Sequence, residues 1–330
     1  MNVGIVGAGA IGTAVGARLA HGGARVVLVG RPWLVDRLRD GLDLSRFDAP
    51  TIHLGPERLA VTTDVGAVAG CDVVLVTTKS SDTRAAARSL GAVLAPGVPV
   101  ASLQNGVSNP GILAEELPGR PIWPGMVTFN VVWTADGRLH QGTSGPIVLP
   151  PDGAAVVAAL RAGGLEAHTH PDVPGVSWGK LLVNLNNAVN ALSGLPLRSM
   201  LADRGFRTIS ADVIDEGRRV LRVAGIRPRG IGRVRPGLAP TVLRLPDWLF
   251  FRAAAAMIRI DPEARSSMAD DLARGRLTEV DELNGAIVAV GPAPLNATLV
   301  RLVHEAEQSP RTWTAAALRA ALSASSGAPP

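Results

Sequence analysis

A chain of 330 residues is long for one hydrophobic core and comfortable for two domains, and a hydrophobic content of 47% excludes a disordered protein. Its single cysteine, Cys71, excludes an internal disulfide and fits a reducing compartment. The net charge of +5 comes from arginines scattered among acids, with only 3% aromatic residues, which argues against a nucleic-acid partner. The one basic cluster, Arg227, Arg229, Arg233 and Arg235, lies in a Pro/Gly-rich stretch and reads as a solvated loop. No run reaches the roughly 18 apolar residues of a membrane span; the nearest, 249–260, carries Arg252 and Arg259. The apolar start is broken by glycines and lacks the basic segment of a secretory signal. The expectation is a soluble, cytoplasmic protein with no membrane partner.

Residues 3–150 alternate short apolar runs with helical segments, the pattern of βαβ units on a parallel sheet. Strands are expected at 3–6, 25–29, 73–77 and 98–103, with a helix over 11–20 between the first two. Strands around 126–133 and 146–149 flank Ala135-Asp136-Gly137, a hairpin-like turn. Beyond Pro150 helices are expected near 153–163, 176–192, 206–224, 247–258, 263–273 and 276–290. Pro and Gly cluster over 171–175, which predicts a boundary there. The fold class is thus α/β: a Rossmann-type doubly wound sheet over 1–172, then an all-α domain over 173–330. The small, polar tail 323–330 reads as a frayed end. The apolar segment near 247–260 fits either core or the face of a homodimer, and the sequence leaves both open. His168 and His170 have no companion ligand set at metal-binding spacing, so no metal is expected.

Gly7-Ala8-Gly9-Ala10-Ile11-Gly12 follows the first strand and opens the first helix. Gly7 permits the tight turn, Gly9 lets the backbone approach a pyrophosphate, and Gly12 allows helix to pack on strand. The helix N-terminus, at Ala10 and Ile11, offers N–H groups and a positive dipole end to phosphates. An NAD site usually places an acid at the end of the second strand. Here that strand runs into Gly30-Arg31, with no acid until Asp36. Arg31 suits a 2′-phosphate through a charge-assisted pair, which favours NADP(H). The next two strands end at Lys79 and at Gln104-Asn105-Gly106. Ligands bind outside the carboxyl ends of such strands, so Lys79 and Asn105 are expected beside the cofactor.

Only two of the 33 basic residues are lysines, Lys79 and Lys180. A lysine kept among arginines suggests an ammonium whose pKa must move, which a guanidinium's cannot. Lys180 and Asn184 are i, i+4 and Asn187 is i+7, so one helical stripe carries an ammonium and two amides. Asparagine disfavours helix interiors, and those here are expected to face a polar ligand or, for Asn186 and Asn190, another helix. Ser267 and Glu279 lie in a charged stretch whose neighbours do not single them out.

Together these motifs resemble the ketopantoate reductase family, the NADPH-dependent 2-dehydropantoate 2-reductases, over nearly the whole chain. The resemblance rests on the glycine loop with Arg31, the Lys79 strand end and Gln104-Asn105-Gly106. It continues through Trp178-x-Lys180-x-x-x-Asn184, Ser266-Ser267-Met268-x-x-Asp271 and Thr278-Glu279-Val280-Asp281-x-x-Asn284-Gly285. It implies a reductase of a small 2-keto acid, 2-dehydropantoate in pantothenate synthesis, with Lys180 as general acid. It further implies that Glu279 engages the substrate hydroxyl and orients Lys180, that Ser267 binds the carboxylate, and that Asn105 and Asn184 position substrate. Two departures stand out. Family members often carry an asparagine where this chain has Ala188, with Asn187 adjacent as a substitute, and the stretch between Gly285 and Pro294 is short. A reductase of another keto acid or an imine, and a non-catalytic NADP-sensing protein, are the alternative readings.

Overall fold

The computed structural model describes residues 1–47, 49–230, 236–254 and 265–326. Arg233, Arg235, residues 255–264 and the last four residues of the tail lie outside the described residues. The chain divides into two compact units, Met1–Pro174 and Gly175–Pro330.

The first unit opens with β1 (Asn2–Val6), α1 (Ala10–His21), β2 (Arg25–Val29) and α2 (Pro32–Arg37). An outlying hairpin follows, β3 (Leu42–Arg46) and β4 (Ala49–Leu54), then β5 (Ala60–Thr62) and β6 (Val73–Val76). Next come α3 (Thr83–Val93), β7 (Val100–Ser102), α4 (Asn109–Glu116) and β8 (Ile122–Pro124). The unit closes with β9 (Met126–Val127), β10 (Val131–Trp133), β11 (Leu139–Gln141), β12 (Ile147–Leu149), α5 (Ala154–Ala162) and β13 (Ala167–Thr169).

Six strands form one parallel sheet in the order β5-β2-β1-β6-β7-β8. Its central strands are continuous apolar runs because both faces are covered. Val3, Ile5, Val73 and Leu75 pack in one buried cluster with Val15 and Leu19 of α1 and Val157 and Leu160 of α5. The alternate residues Val6, Val74 and Val76 join Ala87 and Leu90 of α3 and Leu113 of α4 in another. The period of two thus sends neighbouring residues to opposite layers, which is the doubly wound arrangement. Gly16 lets α1 lie close: a Cβ there would come within 2.5 Å of Leu28 Cδ2.

Two smaller sheets were only partly legible. The expected strand over 126–133 is two strands in different sheets, β9 and β10. The turn at Asp136 joins β10 to β11, not to the 146–149 strand. Gly137, at φ +90°, supplies the left-handed residue of that turn. β12 instead pairs with β9 and β13. The β3–β4 hairpin was not expected because its strands, though as long as β1 and β2, are half-exposed, with few apolar residues to set a period.

The second unit is built from α6 (Val173–Asn184), which begins at the boundary, α7 (Asn186–Ser193), α8 (Leu197–Ala202) and α9 (Arg204–Val223). α10 (Ala239–Leu243), α11 (Asp247–Ala254) and α12 (Ser267–Ala273) follow. A π-turn over Asp281–Gly285 leads into α13 (Ala286–Val290), then α14 (Pro294–Gln308) and α15 (Ala315–Ser326). The helix expected over 276–290 therefore starts only at 281. Gly275, at φ +61°, breaks the chain out of α12 first. At the heart of this unit Arg207 is wholly buried. Its guanidinium donates to the carbonyls of Leu201 (2.9 Å), Ala202 (3.1 Å), Leu243 (3.2 Å) and Leu245 (3.4 Å), and pairs with Asp247. Every one of its donors thus meets an acceptor, four of them carbonyls at or just beyond helix ends and the fifth the Asp247 carboxylate. Trp248 and Phe251 of α11 are exposed.

Candidate active site

The glycine loop turns where β1 ends. Gly7 sits at φ +81°, and a Cβ there would come within 2.6 Å of the Thr78 backbone nitrogen. Only glycine fits. A Cβ on Gly12 would meet Thr77 Oγ1 and lie 3.1 Å from Ile5 Cγ2, so this glycine sets how closely α1 lies on the sheet. Gly9 differs from both, since the nearest atom to an added Cβ is Gly7 O at 3.9 Å. Its open face is a cradle that a side chain would fill. The first bond inside α1 runs from Thr13 N–H to Gly9 O (2.9 Å), so the N–H groups of Ala10, Ile11 and Gly12 precede the helical ladder. These residues fit a dinucleotide pyrophosphate.

Arg31 caps α2 in an extended conformation. Its side chain is 78% exposed, and its Nη2 lies 3.9 Å from Asp82 Oδ2. Asp82 was not singled out by the sequence, because it follows β6 and reaches Arg31 from another segment. Lys79 ends the β6 segment and precedes a 3-10 turn over Ser80–Asp82. Asn105 follows β7 and is half-buried, as is Lys79. Gly106 turns the chain at φ +84°.

In the second unit, burial pushes the Lys180 ammonium down from 10.5 to about 8, and the nearby Glu279 carboxylate partly opposes that shift. Lys180 and Asn184 lie on α6, one turn apart. The helix is interrupted at Leu185, so the expected stripe is a correction in part: Asn187 belongs to α7. The interruption is slight. Leu185 keeps right-handed helical angles and its N–H still reaches Leu181 O (3.0 Å). Its carbonyl is drawn aside as an acceptor for Asn284 Nδ2 (3.4 Å), which also donates to Asn296 Oδ1 (3.0 Å). Asn284 belongs to the π-turn that follows Glu279, so the turn and the break are tied together.

Asn190 is fully buried and structural. Its Nδ2 donates to Leu195 O (2.9 Å) and its Oδ1 accepts from Ser266 N–H (3.0 Å). Ser266 in turn caps α12 through its hydroxyl, which accepts from Ala269 N–H (3.2 Å), and also donates to Asn187 O (3.5 Å). These bonds seat Ser267, the exposed first residue of α12, beside Asn187 of α7. Ala188 faces the core while Asn187 is half-buried. The Glu279 segment is held by Glu307, whose carboxylate accepts from Thr278 N–H (2.8 Å). Asn190 thus bonds to another helix, as expected for it; Asn284 and Glu307 are supports that sequence reasoning missed, because each acts across a long gap in the chain. Among the described residues no group of His, Cys, Asp and Glu is arranged to hold a metal ion, and no helix is long and apolar enough to cross a membrane.

A doubly wound sheet with this glycine loop, followed by a helical unit that carries a desolvated lysine near a carboxylate, defines an oxidoreductase that works with a nicotinamide cofactor. Residues 3–153 match the family model described as ketopantoate reductase PanE/ApbA, and residues 172–307 match its C-terminal counterpart. The chain belongs to the ketopantoate reductase family. A 2-dehydropantoate 2-reductase of Halobacterium salinarum is 30% identical over 323 residues, which cover 93% of this chain and 99% of that protein. The crystal structure of a PanE/ApbA family ketopantoate reductase from Ralstonia eutropha JMP134 superposes with a TM-score of 0.79 at 31% identity, covering 94% and 99% of the two chains. A D-mandelate dehydrogenase solved with NADH and anilino(oxo)acetate shares the fold, with a TM-score of 0.77 at 22% identity and coverage of 94% and 99%.

Proposed function

We propose that this protein reduces 2-dehydropantoate to pantoate with NADPH, in the cytoplasm, as a step of pantothenate synthesis. The observation that carries the reading is Lys180, an ammonium brought to about 8 by burial with Glu279 close enough to oppose the shift. When bound, the reduced nicotinamide supplies a hydride to the 2-keto carbon. The carbonyl oxygen then gains negative charge, which the Lys180 ammonium stabilises and quenches by giving up a proton. Glu279 keeps that ammonium charged near neutrality and receives the new hydroxyl as a hydrogen-bond donor. Ser267 takes the substrate carboxylate, and Asn105, Asn184 and Asn187 orient the substrate. Gly7, Gly9, Ala10, Ile11 and Gly12 hold the pyrophosphate, Lys79 lies near the reacting end, and Arg31 pairs with the 2′-phosphate. The preference for NADP(H) is supported by Arg31 at the end of a strand that carries no acid there.

The test is NADPH oxidation with 2-dehydropantoate against a panel of 2-keto acids, with Lys180→Arg alongside. Reduction of 2-dehydropantoate ahead of the panel is expected, with a loss of turnover of roughly 10²-fold or more in the variant, because arginine keeps the charge but does not give up its proton. No preference for 2-dehydropantoate would sink the substrate assignment, and near-normal turnover of Lys180→Arg would refute the acid role.

A further inference from the structure

Beneath the strand ends that carry Lys79 and Asn105 lies a connected set of buried polar side chains. Gln104 Nε2 donates to Thr78 O (3.2 Å), Thr78 Oγ1 (3.0 Å) and Thr83 Oγ1 (2.6 Å), and its Oε1 accepts from Ser102 Oγ (3.1 Å). The Thr83 hydroxyl passes the chain on, donating to Asn109 Oδ1 (2.8 Å). Asn109 Nδ2 donates to Ser80 Oγ (3.0 Å) and to the carbonyl of Asn105 (2.7 Å). Ser80 Oγ reaches the same carbonyl at 3.4 Å.

Two features separate this set from ordinary core polarity. The first is concentration. Ser80, Thr83, Ser102, Gln104 and Asn109 are five of the eight buried polar or charged residues described in this unit, and Asn109 is only 1% exposed. The second is aim. Thr78 and Ser80 are the two neighbours of Lys79, and each is bonded to the segment after β7, one by Gln104 and one by Asn109. The backbone is therefore pinned on both sides of Lys79 and at Asn105 itself, from the buried side, while the Lys79 and Asn105 side chains remain half-buried. A satisfied polar network of this kind fixes geometry more sharply than apolar packing does.

We propose that Asn109, with Thr83 and Gln104, is a positioning residue: it acts through Lys79 and Asn105 to set their spacing at the reacting end of the cofactor. The proposal rests on the reading above that these two residues flank that end. The glycine loop is held separately, by Gly7 and Ala8 N–H groups that both donate to Val29 O at 3.0 Å, so loss of Asn109 should spare the phosphates. Gln104 is a poorer probe, because Thr78 also packs against Gly7.

The experiment compares Asn109→Leu and Thr83→Val with the unsubstituted protein, measuring kcat and KM for the keto acid, affinity for NADPH and for 2′,5′-ADP, and the melting temperature. Asn109→Leu is expected to lower kcat roughly 10²-fold, the scale of a misplacement near 1 Å. NADPH binding should weaken about tenfold while 2′,5′-ADP stays within about twofold. Thr83→Val should move the same quantities in the same direction by less. A lower melting temperature with kcat unchanged well below it would mean a structural role only, and so would NADPH and 2′,5′-ADP affinities that fall together. Should Asn109→Leu fail to fold, Thr83→Val decides alone, and unchanged kcat and NADPH affinity overturn the proposal. If the unsubstituted protein does not reduce 2-dehydropantoate, the substrate reading fails on its own. The network is then judged on binding: selective loss of NADPH over 2′,5′-ADP supports it, and parallel or absent shifts overturn it.

Discussion

The two units build their halves of the chemistry from different material. In the first, on the reading proposed above, the cofactor's phosphates would be met by backbone: three glycines with three separate duties and the N–H groups of a helix start. In the second, on the same reading, the proton and the substrate would be met by side chains, whose segments are held in place by other side chains, Asn190 behind Ser267 and Glu307 behind Glu279. A backbone site tolerates almost any residue that keeps its conformation and leaves its space open. A side-chain site depends on identities spread across a hundred residues. The difference teaches where each half is fragile.

The sharpest way to break the comparison is Gly9→Val. Gly9 lies in extended backbone (φ −86°, ψ −153°) with open space where a side chain would go, so folding should be unaffected and the melting temperature nearly unchanged. NADPH affinity should fall roughly 10²-fold or more, because the side chain takes the volume of the pyrophosphate. Titration of NADPH into the variant checks this, and retained affinity would place the phosphates elsewhere.

Next in size is the pH dependence of the side-chain half. A lysine lowered to about 8 is protonated below that value, and reduction needs the proton. The rate of reduction should therefore hold level at lower pH and fall about tenfold per pH unit above about 8. Removing the opposing charge in Glu279→Gln lets burial act alone, so the fall should begin at lower pH. A full pH–rate profile of both proteins is the measurement, and a break that moves upward would contradict the assignment.

The smallest effect belongs to Arg31→Ala. The guanidinium is exposed and already near Asp82, so screening limits its contribution. A loss of about 1.5 kcal/mol, roughly tenfold in NADPH affinity, is expected, with NADH affinity almost unchanged. Equal loss for both cofactors would show that Arg31 does not meet a 2′-phosphate.

The same contrast explains what could be read from the sequence. The glycine loop was legible because its requirements are local: a turn, an approach and a packing contact fall within six residues of one another. The four inner parallel strands, β2, β1, β6 and β7, were legible because burial on both faces leaves an unbroken apolar run, whereas the three-residue, partly exposed edge strands β5 and β8 were not. Lys180 stood out through the scarcity of lysine. Ser267 and Glu279 were reached only by family resemblance, since their settings are made at a distance: Ser266 is bonded to Asn190, 76 positions away, and Thr278 to Glu307, 29 positions on. The interruption at Leu185 was invisible for the same reason, because its partner Asn284 lies 99 positions along the chain. The half-exposed β3–β4 hairpin offered too few apolar residues to reveal a period.

Arg207 carries one more consequence. Its guanidinium is the shared donor to the end of α8, the carbonyls that close α10 and the carboxylate that begins α11. Detaching any one of these segments would strand part of a buried cation. These segments are therefore expected to open together rather than fray one by one, with matched protection of their amides in hydrogen exchange. A lysine's three donors could not span so many partners, so here, unlike at Lys180, the chain's reliance on arginine is a structural necessity.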